Sequence, residues 1–264
     1  GIGLSGAVLA YFISKEFDWR VCYFIGGGLG VVLLVLRISV AESGMFNQVK
    51  SKDVSRGNFF DFFTDAKRFK KYILAILIGL PTWYVIGILV SFSKEFGKAF
   101  GIREEIDPGR SIMFAYVGIS VGDIAIGILS QVLRSRKKAL FIFYGLTTIS
   151  IALYFMQTGG TASGMYMICL ALGFSTGFWA IFVTMGAEQF GTNLRATAAT
   201  TIPNMVRGSL PLIALLFKDL LQVKLGYGIL FSGIVTGAII IVITLVAAWF
   251  TEETFTKDLD YLEV

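Results

Sequence analysis

The chain has 264 residues, of which 55% are hydrophobic and 16% charged, with a net charge of +5 and no histidine. A soluble domain carries about 25% charged residues and less than about 50% apolar ones, so the composition excludes an ordinary soluble domain and points to an integral membrane protein. The positive charge sits in short loops between apolar runs, where membrane topology accounts for it without a nucleic-acid partner.

Eight apolar segments follow in chain order, at about 1–14, 21–39, 72–92, 111–133, 139–156, 165–187, 196–217 and 228–250. All but the first, and marginally the second, are long enough to cross a bilayer as helices. They are continuously apolar and do not alternate, which argues against a β-barrel. The expected fold class is therefore all-α, a polytopic membrane helix bundle. Gly1 opens inside an apolar run with no initiator methionine, so the first helix is expected to be truncated and the N-terminus to be a cut through a longer protein.

Lysine and arginine counts orient the bundle. Fourteen lie on one side, between Arg37 and Lys71, at Arg134 to Lys138, at Arg195 and at Lys257, against eight on the other. The first side is expected to be cytoplasmic, and the tail 251–264 with it. The longest connection, 40–71, lies on that side. Its Phe59-Phe60-Asp61-Phe62-Phe63 and the following Lys67-Arg68-Phe69-Lys70-Lys71 predict an interfacial amphipathic helix or a basic stop before the next span. The six spans from 72 to 250 fall into two sets of three with opposite starting sides, the pattern of an inverted repeat.

Cys22 and Cys169 stand alone, without the spacing of a metal or redox motif. The lack of histidine removes the commonest general base and a common metal ligand. No enzyme activity, metal or cofactor is expected.

Four loop segments share a resemblance. Gly127 to Lys138 resembles, without gaps, the major facilitator superfamily loop motif G-x-L-[SA]-D-R-x-G-R-[RK]. Gln131, Val132 and Arg134 stand in place of its Asp, Arg and Gly. Arg37 to Ser43 looks like the P-E-S segment after that family's sixth helix. Glu188, Phe190, Gly191, Thr192 and Arg195 resemble E-x-F-P-T-x-x-R after the tenth. Glu253-Thr254-Phe255-Thr256-Lys257 looks like the sugar-porter E-T-x-G-K segment after the twelfth. Their order and their places at span boundaries agree with the family.

By that resemblance the chain covers the fifth to twelfth helices. Residues 1–39 would be the last two helices of the N-terminal half, 40–71 the central cytoplasmic loop, 72–250 the six-helix C-terminal half and 251–264 a cytoplasmic tail. The implied partners are the lipid bilayer, a missing N-terminal half and a small-molecule substrate. The implied place is the plasma (inner) membrane. The sugar-porter branch matches best by its loops, yet the span 72–92 lacks the paired glutamines that branch uses for hexoses.

Charges inside the spans carry the chemistry. Arg207 lies about 12 residues past Arg195 and Asp123 about 11 before Arg134, so each sits roughly 16–18 Å from the charged edge by helix rise. That is near the middle of a hydrocarbon core of about 30 Å, where a charge is costly and marks function by default. One reading pairs Asp123 with Arg207, another gives each a partner elsewhere. A third has Arg207 hold an anionic substrate group and Asp123 serve as a coupling carboxylate.

Gly79, Pro81 and Gly87 interrupt one span and Gly173, Ser175 and Gly177 another. Interruptions at matching places in two repeats mark a transporter's binding site. Trp83, Tyr84, Tyr116, Trp179 and Asn204, with Arg207, are the expected substrate-facing groups. Gly118/Gly122 and Gly26-Gly27-Gly28 are expected to serve close helix packing. At the cytoplasmic ends, Glu42, Arg136, Glu188, Arg195 and Glu253 are expected to form a gate that latches one conformation.

The expected function is a secondary active transporter working by alternating access, proton-coupled by resemblance, for a small organic solute, with an organic anion favoured. The alternatives are a sugar transporter of the same superfamily and a non-transporting membrane sensor on the same fold.

Overall fold

The computed structural model describes residues 2–38, 57–257 and 260–262. Its described residues contain helices and no strand, so the fold is an all-α bundle. The chain divides into two compact units, 1–54 and 55–264.

In the first unit, α1 (Ile2–Glu16) and α2 (Trp19–Ile38) are joined through Phe17 and Asp18. The Asp18 carboxylate accepts the Arg20 backbone N–H at 2.9 Å, which places an anion on the positive end of α2. Tyr23 and Phe24 are exposed along α2. Among the described residues the close packing expected of Gly26, Gly27 and Gly28 is not formed, because a β-carbon at any of them would meet nothing within 4 Å.

The second unit holds α3 (Asp61–Thr64), α4 (Ala66–Leu77), α5 (Leu80–Tyr84), a π-helical turn π1 (Val85–Val90) and α6 (Ser93–Ala99). Then come α7 (Pro108–Val132), α8 (Arg136–Phe155), α9 (Ala162–Ser175), α10 (Trp179–Glu188) and α11 (Thr192–Gly208). The last are α12 (Leu210–Ala214), π2 (Leu215–Lys224) and α13 (Ile229–Phe250).

Five of the described helical runs are long and apolar enough to cross a membrane: Ala66–Val90, Pro108–Val132, Arg136–Phe155, Ala162–Glu188 and Ile229–Phe250. The segment expected at 196–217 is helical over a longer range, Thr192 to Lys224 with a break at Ser209. Its polar first half keeps it out of that set of five.

Helix starts follow local capping chemistry. The Asp65 side chain accepts the N–H groups of Lys67 and Arg68. Asp107 does the same for Gly109 and Arg110, with Pro108 in the first turn. Ser135 and Thr161 cap α8 and α9 through Lys138 and Gly164. Each side chain satisfies donors that a helix N-terminus leaves open.

Two features set the packing. First, α7 and α9 meet backbone to backbone. A β-carbon at Gly118 would lie 2.1 Å from the Leu170 carbonyl, and one at Gly122 2.2 Å from that of Phe174. On the other helix, a β-carbon at Gly173 would lie 2.0 Å from the Ala115 carbonyl. Only glycine permits this approach, the small-residue packing expected of membrane helices.

Second, the helix through 66–90 is broken around Gly79 and Pro81. Pro81 has no N–H to give the Leu77 carbonyl, and the Thr244 hydroxyl donates to it instead at 3.1 Å. Tyr144 donates to the neighbouring Ile78 carbonyl at 2.7 Å. Buried hydroxyls thus replace the helix bonds that the break removes, as a low-dielectric interior demands. The helix 162–188 is interrupted in the same way over 176–178, between α9 and α10.

Candidate functional site

Three interrupted helical runs converge on one cluster. Trp83 lies in α5, just after the first break. Trp179 opens α10, just after the second. Asn204 and Arg207 occupy the last turns of α11, just before the third. The Trp83 and Trp179 rings meet edge to face at 6.5 Å. The Arg207 guanidinium lies over the Trp179 ring at 5.4 Å, and its Nη1 donates to the Asn204 side-chain carbonyl at 2.8 Å. A β-carbon at Gly79 would lie 2.8 Å from the Phe182 ring and 2.9 Å from Val206, so its absence lets the three runs close on one another.

These contacts orient Arg207 without saturating it. A guanidinium carries five N–H donors in a planar fork, and Asn204 takes one. Both Asn204 and Arg207 are exposed on the surface of the unit. The Trp83 indole N–H is buried with no acceptor among the described residues. The cluster thus presents a held cation with free donors beside two aromatic faces.

Asp123 joins the site from α7. Its Oδ1 accepts the Ala180 backbone N–H at 3.0 Å, so the carboxylate sits on the N-terminus of α10, one residue from Trp179. No ion pair links Asp123 to Arg207 among the described residues. The pairing left open by the sequence is therefore not formed. Asp123 is engaged by a helix end and Arg207 by an amide and a ring.

Two expected substrate-facing residues are placed differently. Tyr84 is fully buried and donates to the Gly233 carbonyl at 2.7 Å, so its hydroxyl is committed to helix packing. Tyr116 is half-buried against the apolar core two helical turns before Asp123. None of the ring contacts in the cluster involves it.

The expected gate residues collect at the end of the bundle that carries 61–71, 133–138, 188–195 and 251–257. Arg136 Nη2 meets Glu188 Oε1 at 2.6 Å, with side chains 16% and 8% exposed. Glu253 caps α8. Its oxygens accept the Ser135 hydroxyl and the N–H groups of Arg136 and Lys137, each of the latter at 3.1 Å. Burial alone would raise the Glu253 carboxyl, but the Ser135 hydroxyl and the N–H groups of Phe255, Lys137 and Thr254 outweigh it. The net effect holds the group below its ordinary value. Arg195 Nε donates to the Phe190 carbonyl at 3.2 Å. Glu42 lies outside the described residues.

Sequence reasoning missed two partners at this end. Lys137 Nζ donates to the Trp249 and Thr251 carbonyls at 2.6 and 2.9 Å, closing the C-terminus of α13 with a cation. Gln189 receives Tyr261 and Lys71 on its carbonyl and donates its amide to the Glu252 carbonyl. A basic run after a span reads as topology, and only the folded chain shows which of its members is bound.

A family model described as Major Facilitator Superfamily matches residues 1–215. The chain belongs to the Major Facilitator Superfamily. The superfamily is one of membrane transporters, which makes this an integral membrane protein of a transporter family. The superfamily match spans both compact units and ends within π2, so α13 lies beyond it. No curated protein and no solved structure matches the chain.

The 127–138 segment, which resembles the superfamily loop motif, bends at Arg134. Its φ of 47° lies in the left-handed region, at the position the motif gives to glycine.

Proposed function

We propose that this superfamily member is a secondary active transporter working by alternating access on a small organic anion. The carrying observation is Arg207, a cation held by Asn204 and Trp179 at the meeting point of three interrupted helices, with free donors in bidentate geometry. A carboxylate or phosphate would accept two parallel N–H bonds from that fork, while Trp83 and Trp179 would cover the apolar part of the solute.

Asp123 would be the coupling group. Its carboxylate holds the N-terminus of α10, and protonation would weaken that grip and free the segment bearing Trp179. Proton coupling rests on this arrangement and on the family resemblance. At the opposite level, Arg136, Glu188, Arg195 and Glu253 would be the cytoplasmic gate, closed in this conformation and opened when the halves rock. On this reading the end bearing the gate and the C-terminal tail faces the cytoplasm of a plasma (inner) membrane.

The test is uptake by Arg207→Ala and Arg207→Lys variants. Both are expected to lose at least about 90% of uptake while inserting in the membrane normally, because an ammonium cannot reproduce the fork. Full transport by the Lys variant would overturn bidentate anion binding. A sugar-selective transporter is the second reading, favoured by the E-T-x-G-K-like tail. Stabilisation by neutral sugars alone, unchanged in the Arg207 variants, would decide for it.

A further inference from the structure

A cavity of about 200 Å³ opens at the basic end, between the start of α4 and the end of α13. Three lysines line it, Lys67, Lys70 and Lys71, against one carboxylate, Glu252. That carboxylate lies 3.8 Å from the Lys257 ammonium, so the net charge facing the cavity is positive. The Lys70 ammonium stands 5.7 Å from the Phe250 ring, and Lys71 donates to the Gln189 carbonyl at 3.3 Å. Lys67 and Lys70, three residues apart on one face of α4, are exposed.

The depth of the cavity in the membrane follows from its walls. α13 is apolar from Ile229 to Phe250 and then stops, with Trp249 72% and Phe250 59% exposed. Exposed aromatics at the end of a span mark the headgroup level. Phe60, Phe63 and Phe69 are exposed around the same lysines, as on a helix lying in the interface. The cavity is thus too small for a whole lipid, yet it is the right size for a phosphate ester whose acyl chains run down the exposed apolar face.

We propose that this cavity binds the phosphate of an anionic phospholipid from the adjoining leaflet. Basic pockets between membrane helices hold such headgroups by charge, and each lysine near the surface contributes a factor of about five in affinity. Binding would tie α4 to the end of α13 by a bridge additional to the Lys70–Phe250 contact. The site is separate from the Arg207 cluster and stands or falls independently of the proposed substrate.

The experiment titrates the full chain with phosphatidylglycerol in detergent micelles and counts bound lipid by native mass spectrometry. Phosphatidylcholine and glycerol phosphate serve as the comparison ligands. Phosphatidylglycerol is expected to bind at least tenfold more tightly than phosphatidylcholine. K67Q/K70Q is expected to weaken it roughly 25-fold, and K70Q alone about fivefold. K98Q/R103Q removes the same charge from a different exposed segment and is expected to change nothing. Equal binding of the two lipids, an unchanged K67Q/K70Q titration or an equal loss in K98Q/R103Q would overturn the proposal. Saturation by glycerol phosphate at the same concentrations would also overturn it, by making the ligand a free phosphate.

Discussion

The two charged regions of the bundle handle their charges in opposite ways. At the basic end, Arg136 and Glu188 form a mostly buried ion pair, Glu253 receives the first N–H groups of α8, and Lys137 closes the carbonyls of α13. Each of these charges is answered by a partner in the same chain. In the middle of the bundle, Arg207 has one amide and one aromatic face, and Asp123 has a single backbone N–H. Charges answered internally hold a conformation. Charges held in position but left with capacity are suited to a ligand. The difference separates a structural device from a binding one, although both are Arg, Asp and Glu in membrane helices.

The sharpest way to break this comparison is to unpair the basic end. Arg136→Ala leaves Glu188 buried without its cation, which is expected to cost about 3–5 kcal/mol, read as loss of thermal stability in detergent. Arg136→Met with Glu188→Gln is expected to cost less than Arg136→Ala alone, because no uncompensated charge remains. If the double variant were the less stable of the two, the pair would not be the main stabilising element.

Glu253 gives the next largest effect. Glu253→Gln keeps the shape but weakens bonds to Ser135 and to the α8 N-terminus, at an expected cost on the order of 1–2 kcal/mol. The same group sets a pH dependence. Its folded value lies below the ordinary 4.5, so its contribution is complete above about that pH. It is lost as the pH falls through the folded value. A melting series from pH 6 to 3 is expected to show a steeper fall for the unaltered chain than for Glu253→Gln. Parallel curves would remove Glu253 from the account.

The central cluster is expected to respond the other way. Arg207→Ala removes one hydrogen bond and a cation–π contact, worth about 1 kcal/mol at an exposed site, and should melt nearly as the unaltered chain does. A large loss of stability would move Arg207 into the structural class with Arg136.

The parts that were legible in the sequence were those with a one-dimensional signal. Continuous apolar runs announced the spans, whereas the caps at Asp65, Asp107, Ser135 and Thr161 were not among the sequence expectations. Gly118 and Gly122 do pack closely, and their partners are Gly173 and Gly177, which in the sequence read as a span interruption. Gly26 to Gly28 have the same appearance and no such partner in the described residues, so glycine content alone did not decide the matter. Trp83, Trp179 and Asn204 stand out as aromatic or polar groups in interrupted spans and Arg207 by its depth, and the fold brings them into mutual contact. Tyr84 lies in the same interrupted span, but the side of a helix matters as much as the place along it. One residue's rotation from Trp83 turns it towards Gly233.

The smallest effect tests the bend between α7 and α8. Arg134 holds φ at 47°, a conformation that costs a side-chain-bearing residue about 1–2 kcal/mol and glycine almost nothing. Glycine loses part of that advantage through the extra freedom of its unfolded chain. Arg134 is exposed and makes no hydrogen bond or ion pair through its side chain among the described residues. Arg134→Gly is therefore expected to stabilise the protein by about 0.5 kcal/mol, a rise of roughly 1–2 °C in melting temperature for a chain of this size. The bend positions Ser135 and Arg136 for Glu253 and Glu188, so relaxing it should tighten the basic end and leave the Arg207 cluster unchanged. A fall in melting temperature would mean that the Arg134 charge, rather than its backbone, is what that position requires.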